Sequence, residues 1–473
     1  MPENAKPIEA LRDEEARLRS LTTPPDSDTA DAWLRLCEDL IVVSALDEAR
    51  AAALEAARIA EAAAHTDGMG SARLYLGQLE LLAGRPAEGE QLFAQSVALH
   101  RKSGSRLRLA FALLYRGKAL GALGRLDAAK DVLREALDLH RKAQNEYGIA
   151  SDQALLGEVF RLLGRRKDAE KALRDAVARF KKMGDASGMG GALANLGKLL
   201  DEQGRADEAE QALREAQATH EGGRSATGSA NDLLSLGHFL LSKGRLAEAE
   251  ETLGKALSMY RASGNPRGQG DAFRDLAQLY RITDRFADAE RTLAEALQAD
   301  RTAENHLGMA ADLQESGILY LVSDRASEAE TPLRSGAELF AKLDRPAQAA
   351  QVLENLFSCL QALSRFEDAE QALGEALAIR KKLGETAAAA HDLLRLGALR
   401  LKLERPRDAE PPLREALELF KRIDHRGGMA TVLQVLSALL SHLGRHKEAE
   451  EAKLQAQALA PEAPPSAKAP DQR

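Results

Sequence analysis

Three histidines, His100, His140 and His220, fall in one register of the chain, at multiples of 40 residues from one another. Imidazole titrates near neutral pH and is the commonest metal ligand, so a recurring histidine first suggests a row of acid–base or metal sites. The same register holds Phe180, Tyr260, Phe340 and Phe420. A position that takes His, Phe and Tyr alike selects a flat ring, and it reads as a half-buried packing slot. His442 and His446 stand four apart, but Gly444-Arg445 turns the chain between them, so they do not form the one-face pair of a zinc helix. Gly188-Met189-Gly190-Gly191 has a trace of a dinucleotide loop but follows no strand. Gly191 to Gly197-Lys198 has the wrong spacing for a phosphate loop, and Leu199 stands where Ser or Thr would hold magnesium. Cys37 and Cys359 are too few for a disulfide framework or a thiolate metal site. No nucleophile, base and orienting group converge, so the sequence predicts a non-enzyme with no catalytic residues, no metal and no cofactor.

What positions these residues is a repeat. Gly-Arg recurs at 84–85, 124–125, 164–165, 204–205, 244–245 and 444–445, with Asp284-Arg285, Asp324-Arg325, Ser364-Arg365 and Glu404-Arg405 in the same slot. Four residues after each Arg comes a small residue, Gly89 and then Ala129 through Ala449, and the phase never slips. Counting from Ala30 gives eleven units. Within a unit, Ala192, Leu193, Leu196, Leu199 and Leu200 mark one helical face, Gln203-Gly204-Arg205 makes a turn, and Ala209, Leu213 and Ala216 mark a second helix. Ten arginines, Arg85 to Arg445, therefore stand in ten successive turns. Such a ladder could dock an acidic partner. Acids three residues on, such as Asp168, Glu208, Glu248, Asp288 and Glu328, instead predict local ion pairs, each weak in water.

Composition narrows the function classes. The 473 residues carry 65 Lys and Arg against 73 Asp and Glu, a net charge of −8, which argues against a nucleic-acid binder. No apolar run approaches the roughly 20 residues of a membrane span, so membrane insertion is not expected. The start, Met1 to Lys6, lacks the apolar core of a secretory signal, which gives a cytoplasmic expectation. Heavy Ala and Arg usage suggests a bacterial source. The expected fold is all-α, with three segments. Residues 1–29 form an N-terminal capping helix or arm, 30–462 the array of eleven 40-residue repeats, and 463–473 a disordered tail. Three departures stand out: Phe357 fills a slot that is Gly in seven units, and Pro332 and Pro412, with Pro411 beside the latter, fall inside second helices. Proline there predicts kinked or shortened helices.

The columns resemble tetratricopeptide repeats. The Leu-Gly pair stands at Leu76-Gly77, Leu156-Gly157, Leu196-Gly197, Leu236-Gly237 and Leu396-Gly397, and the Ala-x3-Phe pair at Gly89…Phe93, Ala129…Leu133 and Ala249…Leu253. The 40-residue unit is most similar to the longer-repeat branch of kinesin light chains and spindle-orientation adaptors. The resemblance implies a right-handed superhelical α-solenoid whose first helices line a concave groove. It then places in that groove Tyr75, Gln78, Tyr115, Lys118, Glu158, Arg161, Asn195, Lys198, His238, Arg274, Asp275, Asn355 and Arg395. Amides suit a partner's backbone, charges set register, and Tyr75 with Tyr115 makes an aromatic anchor pair. The carboxylate clamp of chaperone-binding members is incomplete: Asn355, His391 and Arg395 fit, but Gln314 and Ile318 stand where Lys and Asn belong.

The expected function is a non-enzymatic adaptor or scaffold that binds a protein or peptide partner, an extended segment or helix, in that groove. The alternatives are a ligand- or peptide-responsive regulator and a self-associating scaffold.

Overall fold

The structure, a computed structural model, describes residues 6–20, 26–43, 45–222 and 226–459; the expected tail at 463–473 lies outside them. All regular structure among the described residues is helical. Helix α1 (Ile8–Arg19) precedes eleven helix pairs. The first four are α2 (Ser27–Val42) with α3 (Leu46–Ala62), α4 (Thr66–Leu82) with α5 (Pro86–Ser103), α6 (Arg106–Ala122) with α7 (Leu126–Lys142), and α8 (Glu146–Leu162) with α9 (Arg166–Met183). Next come α10 (Ala186–Glu202) with α11 (Ala206–Gly222), α12 (Ala226–Ser242) with α13 (Leu246–Ala262), and α14 (Pro266–Ile282) with α15 (Phe286–Thr302). The last four are α16 (His306–Val322) with α17 (Ala326–Lys342), α18 (Pro346–Ala362) with α19 (Phe366–Leu383), α20 (Thr386–Lys402) with α21 (Pro406–Arg422), and α22 (Arg426–His442) with α23 (His446–Leu459). The chain divides into two compact units, Met1–Leu279 with Thr302–Asn305, and Tyr280–Arg301 with His306–Arg473.

The turn explains why Gly-Arg recurs. Gly84, Gly124, Gly164, Gly204, Gly244 and Gly444 take φ between 71° and 76°, the left-handed region where a Cβ is penalised. This lets the next amide reach back five residues, Arg85 N–H to the Glu80 carbonyl at 2.8 Å and Arg445 N–H to Leu440 at 2.9 Å, closing the orphan carbonyls of the first helix. Asp284, Asp324, Ser364 and Glu404 take the same conformation, at φ 55–59°.

The arginine side chain then joins successive pairs. Arg245 bridges Glu248 at 2.6 Å in its own helix pair and Glu210 at 2.7 Å in the preceding one. Arg205, Arg325, Arg365, Arg405 and Arg445 repeat the fork with Glu170, Glu290, Glu330, Glu370 and Glu410. The partner three residues on matches expectation; the acid 35 residues back is the addition.

Glycine sets how closely paired helices approach. A Cβ on Gly117 would lie 2.5 Å from Leu133 Cγ, and one on Gly157 2.5 Å from Leu173 Cγ. Gly254, in the interior of α13, would meet nothing within 4 Å. Gly117→Ala should therefore destabilise, since overpacking of about 1–3 kcal/mol outweighs the ~1 kcal/mol helix gain, whereas Gly254→Ala should stabilise by about 0.5–1 kcal/mol. Urea midpoints of the two variants moving in the same direction would contradict this packing.

The prolines do not shorten their helices. Helices α17 and α21 keep 17 residues each despite Pro332 and Pro411-Pro412, so neither is shortened. Pro412 removes the amide that would bond the Asp408 carbonyl, and Arg400 Nη1 donates to that carbonyl instead, at 3.0 Å. Phe357 is buried in the core of the second unit. In the first unit, Leu11 and Leu18 of α1 pack with Trp33, Leu36 and Leu40 of α2 in one apolar cluster.

The histidine column also departs from a half-buried slot. His100, His140 and His220 are fully buried, and each meets an aspartate: Asp67 at 2.8 Å, Asp152 at 2.7 Å, and Asp232. Two columns change together down the chain. Where the second helix ends in His140, His220 or Arg380, the next first helix carries Asp152, Asp232 or Asp392; where it ends in Phe180, Tyr260, Phe340 or Phe420, it carries Ala192, Ala272, Val352 or Val432. His140, His220 and Arg380 are thus each matched by an acid, and each aromatic faces a small apolar residue; His100, with Ala112 in the second column and its aspartate on α4, and Asp300 with Asp312 fall outside this pairing.

Burial pushes the Asp152 carboxyl up to about 6. Between about pH 4 and 6 the unfolded chain has lost that proton while the folded one keeps it, so this residue's contribution to stability falls as pH rises through that window. Comparing urea midpoints of the wild type with those of His140→Phe/Asp152→Ala across pH 4–7 reads the contribution of the pair. A difference between the two that is independent of pH would contradict the assignment.

Candidate functional site

Within each unit, successive first helices touch one another, α2 with α4, α4 with α6, α6 with α8, α8 with α10 and α10 with α12 in the first, α16 with α18 and α20 with α22 in the second. Successive second helices make no comparable contact among the described residues. The first helices therefore form the inner side of each stack, where side chains from several repeats converge. Two clefts among the described residues open there, in the first unit.

One cleft, about 660 Å³, is walled by α2, α4, α6 and α8. Leu34, Leu74, Phe111, Tyr75, Tyr115 and Tyr147 supply its apolar and aromatic surface, with Asp31, Arg35, Glu38, Gln78 and Arg108 among them. Tyr75 donates its hydroxyl to Glu38 Oε2 at 2.9 Å. Tyr115 stacks on buried Phe93, ring centres 5.9 Å apart, which fixes its plane. Burial raises the Tyr75 hydroxyl, and burial with the nearby Tyr147 and Glu38 pushes Tyr115 up to about 12, so both phenols remain donors at neutral pH. Arg108 is held by Asp67 at 2.5 Å.

The other cleft, about 450 Å³, lies over α8, α10, α12 and α14. Four ion pairs match most of its charges, Arg161 with Glu202, Lys243 with Asp201 at 2.5 Å, His238 with Asp275 at 3.3 Å, and Arg274 with Asp271 at 2.8 Å, and Lys198 lines it beside them. The hydrogen bond to Asp275 raises the His238 imidazole, favouring its charged form.

The structure thus brings Tyr75, Gln78 and Tyr115 into one cleft, and Arg161, Lys198, His238, Arg274 and Asp275 into the other. Lys118, Glu158 and Asn195 sit on α6, α8 and α10 but line neither. Asn355 and Arg395 belong to the second unit, where Arg395 pairs with Glu354, itself 2.7 Å from Arg380, rather than standing ready for a carboxylate. Phe111, Tyr147, Glu38 and Asp31 were not among the expected residues. Phe111 stands four residues before Tyr115, one helical turn away, and that spacing was the available signal. Among the described residues no group of three His, Cys, Asp or Glu is arranged to hold a metal, and no helix is long and apolar enough to cross a membrane.

The family pattern described as Tetratricopeptide repeat matches residues 68–142, 108–182, 229–302, 348–422 and 393–462, and a second pattern of the same description matches 155–224. Together they cover more than half of the chain. The chain belongs to the tetratricopeptide repeat family. A comparison with curated protein sequences finds no match. Among solved structures, this tetratricopeptide repeat protein is similar to a Rap protein complexed with Competence and Sporulation Factor, with TM-score 0.55 and 16% identity over 76% of this chain and 99% of that one. It is also similar to the apo form of the quorum sensor NprR from B. thuringiensis, with TM-score 0.47 and 16% identity over 76% of this chain and 99% of that one. At 16% identity the likeness to the Rap protein speaks to the fold, an all-α solenoid of helix-turn-helix units.

Proposed function

We propose that this tetratricopeptide repeat protein is a non-enzymatic adaptor of the cytoplasm, its array spanning residues 30–462, that holds an extended segment or helix of a protein partner along its first helices. The observation that carries the reading is the pair of clefts sharing α8, one aromatic and one charged, aligned on successive first helices. Apolar anchors supply most of the energy of such contacts, and matched charges fix register. The Rap protein solved with Competence and Sporulation Factor supports a second reading, in which occupancy of the same clefts regulates another activity.

Affinity purification with the wild type, beside a variant altered together at Tyr75, Tyr115, Lys118 and Lys198, tests the groove. The expected result is a partner retained by the first and lost by the second, with both chains equally helical. Recovery of the same proteins by both, or recovery of the chain's own second copy alone, would overturn the assignment.

A further inference from the structure

The two clefts differ in what their charges lack. In the cleft over α8 to α14 each named carboxylate already faces a cation. In the cleft over α2 to α8, among the described residues, Asp31 Oδ1 is shielded from solvent yet has no hydrogen-bond partner, and exposed Glu38 accepts from the Tyr75 hydroxyl. An unsatisfied buried acceptor costs free energy that an incoming donor recovers. Tyr75, Tyr115 and Glu38 lie close enough to share one electrostatic neighbourhood, with Tyr147 beside Tyr115. Aromatic faces are themselves negative and attract cations. Of the two arginines at this cleft, Arg108 is paired with Asp67 at 2.5 Å, and Arg35 is exposed, as Glu38 is.

We propose that the cleft walled by α2, α4, α6 and α8 takes the cationic side chain, arginine or lysine, of a partner segment, its stem against the tyrosine rings and its charge on Asp31 and Glu38. The inference rests on the groove reading above and names the chemistry of the segment held there. An acidic segment would meet two carboxylates, and an aliphatic one would leave Asp31 Oδ1 without a donor. The cleft's 660 Å³ exceeds one side chain and leaves room for flanking residues.

The test uses the full chain and four pools of fluorescein-labelled, end-blocked heptapeptides, each with Arg, Lys, Leu or Glu fixed at the centre and uncharged residues elsewhere. Anisotropy should show the Arg or Lys pool bound about tenfold more tightly than the Leu and Glu pools, a span within reach of cation–π and charge-assisted contacts. Asp31→Asn/Glu38→Gln, near-isosteric and checked for an unchanged thermal melt, should erase that preference and leave the Leu pool unaffected. If the Leu or Glu pool binds as tightly as Arg, or the folded double variant keeps the preference, the cation reading is overturned while the groove stands. Binding of no pool, together with identical recoveries by the wild type and the four-site groove variant, overturns both.

Discussion

Replacing His140 by Phe should destabilise the chain by about 3–5 kcal/mol, although Phe is what the same column carries at 180, 340 and 420. The substitution leaves Asp152, fully buried, without the imidazole 2.7 Å away. A stranded carboxyl in apolar surroundings is the expensive outcome, more so than loss of the hydrogen bond itself. Adding Asp152→Ala recreates the Phe180–Ala192 pairing of the next repeat and should recover stability to within about 1 kcal/mol of the wild type. Asp152→Ala alone leaves the imidazole lacking one partner and should fall between, at about 1–3 kcal/mol. Urea unfolding of the four proteins gives the coupling directly. Additive single costs would mean that the two columns do not act as a pair.

Arg380→Leu should cost at least as much, because Arg380 serves two acids. It lies 2.6 Å from buried Asp392 and 2.7 Å from Glu354, and Glu354 also holds Arg395. Removing the guanidinium strands Asp392 and loosens a contact that ties α18, α19 and α20 together, for an expected loss of about 3–5 kcal/mol. Arg380→Leu/Asp392→Val restores the apolar pattern of Phe340–Val352 and should recover only part of the loss, since Glu354 keeps Arg395 but not its second cation. Full recovery in the double variant would show that Glu354 contributes nothing at this junction.

The helical repeat was legible because every unit solves the same local problems with the same residues: a left-handed turn residue, an arginine after it, and a small residue four further on. Those constraints act within one pair and print directly as columns. The His140–Asp152 and Arg380–Asp392 pairs were not legible from columns read singly, because their meaning lies in two columns 12 residues apart changing together. Arg205 shows the same division. Its contact with Glu208 is local, whereas Glu170 is reached only by stacking one pair on another. The shortening expected at Pro412 misled for a similar reason, since Arg400, which satisfies the freed Asp408 carbonyl, lies on the preceding helix. In the groove, Tyr75 and Tyr115 could be found one column at a time. The cleft itself could not, because Leu34, Phe111 and Tyr147 come from three other turns of helix, on α2, α6 and α8.

In the proposed function the first helices hold the partner. Site-specific photo-crosslinking with the purified chain and the partner recovered by affinity tests it most directly, with benzophenone side chains placed at Lys118, Tyr147 and Lys198 on first helices and at Glu251 and Lys255 on the outer second helix α13. Adducts from the first three positions and none from the other two are the expected result. Adducts concentrated at Glu251 and Lys255 would contradict it.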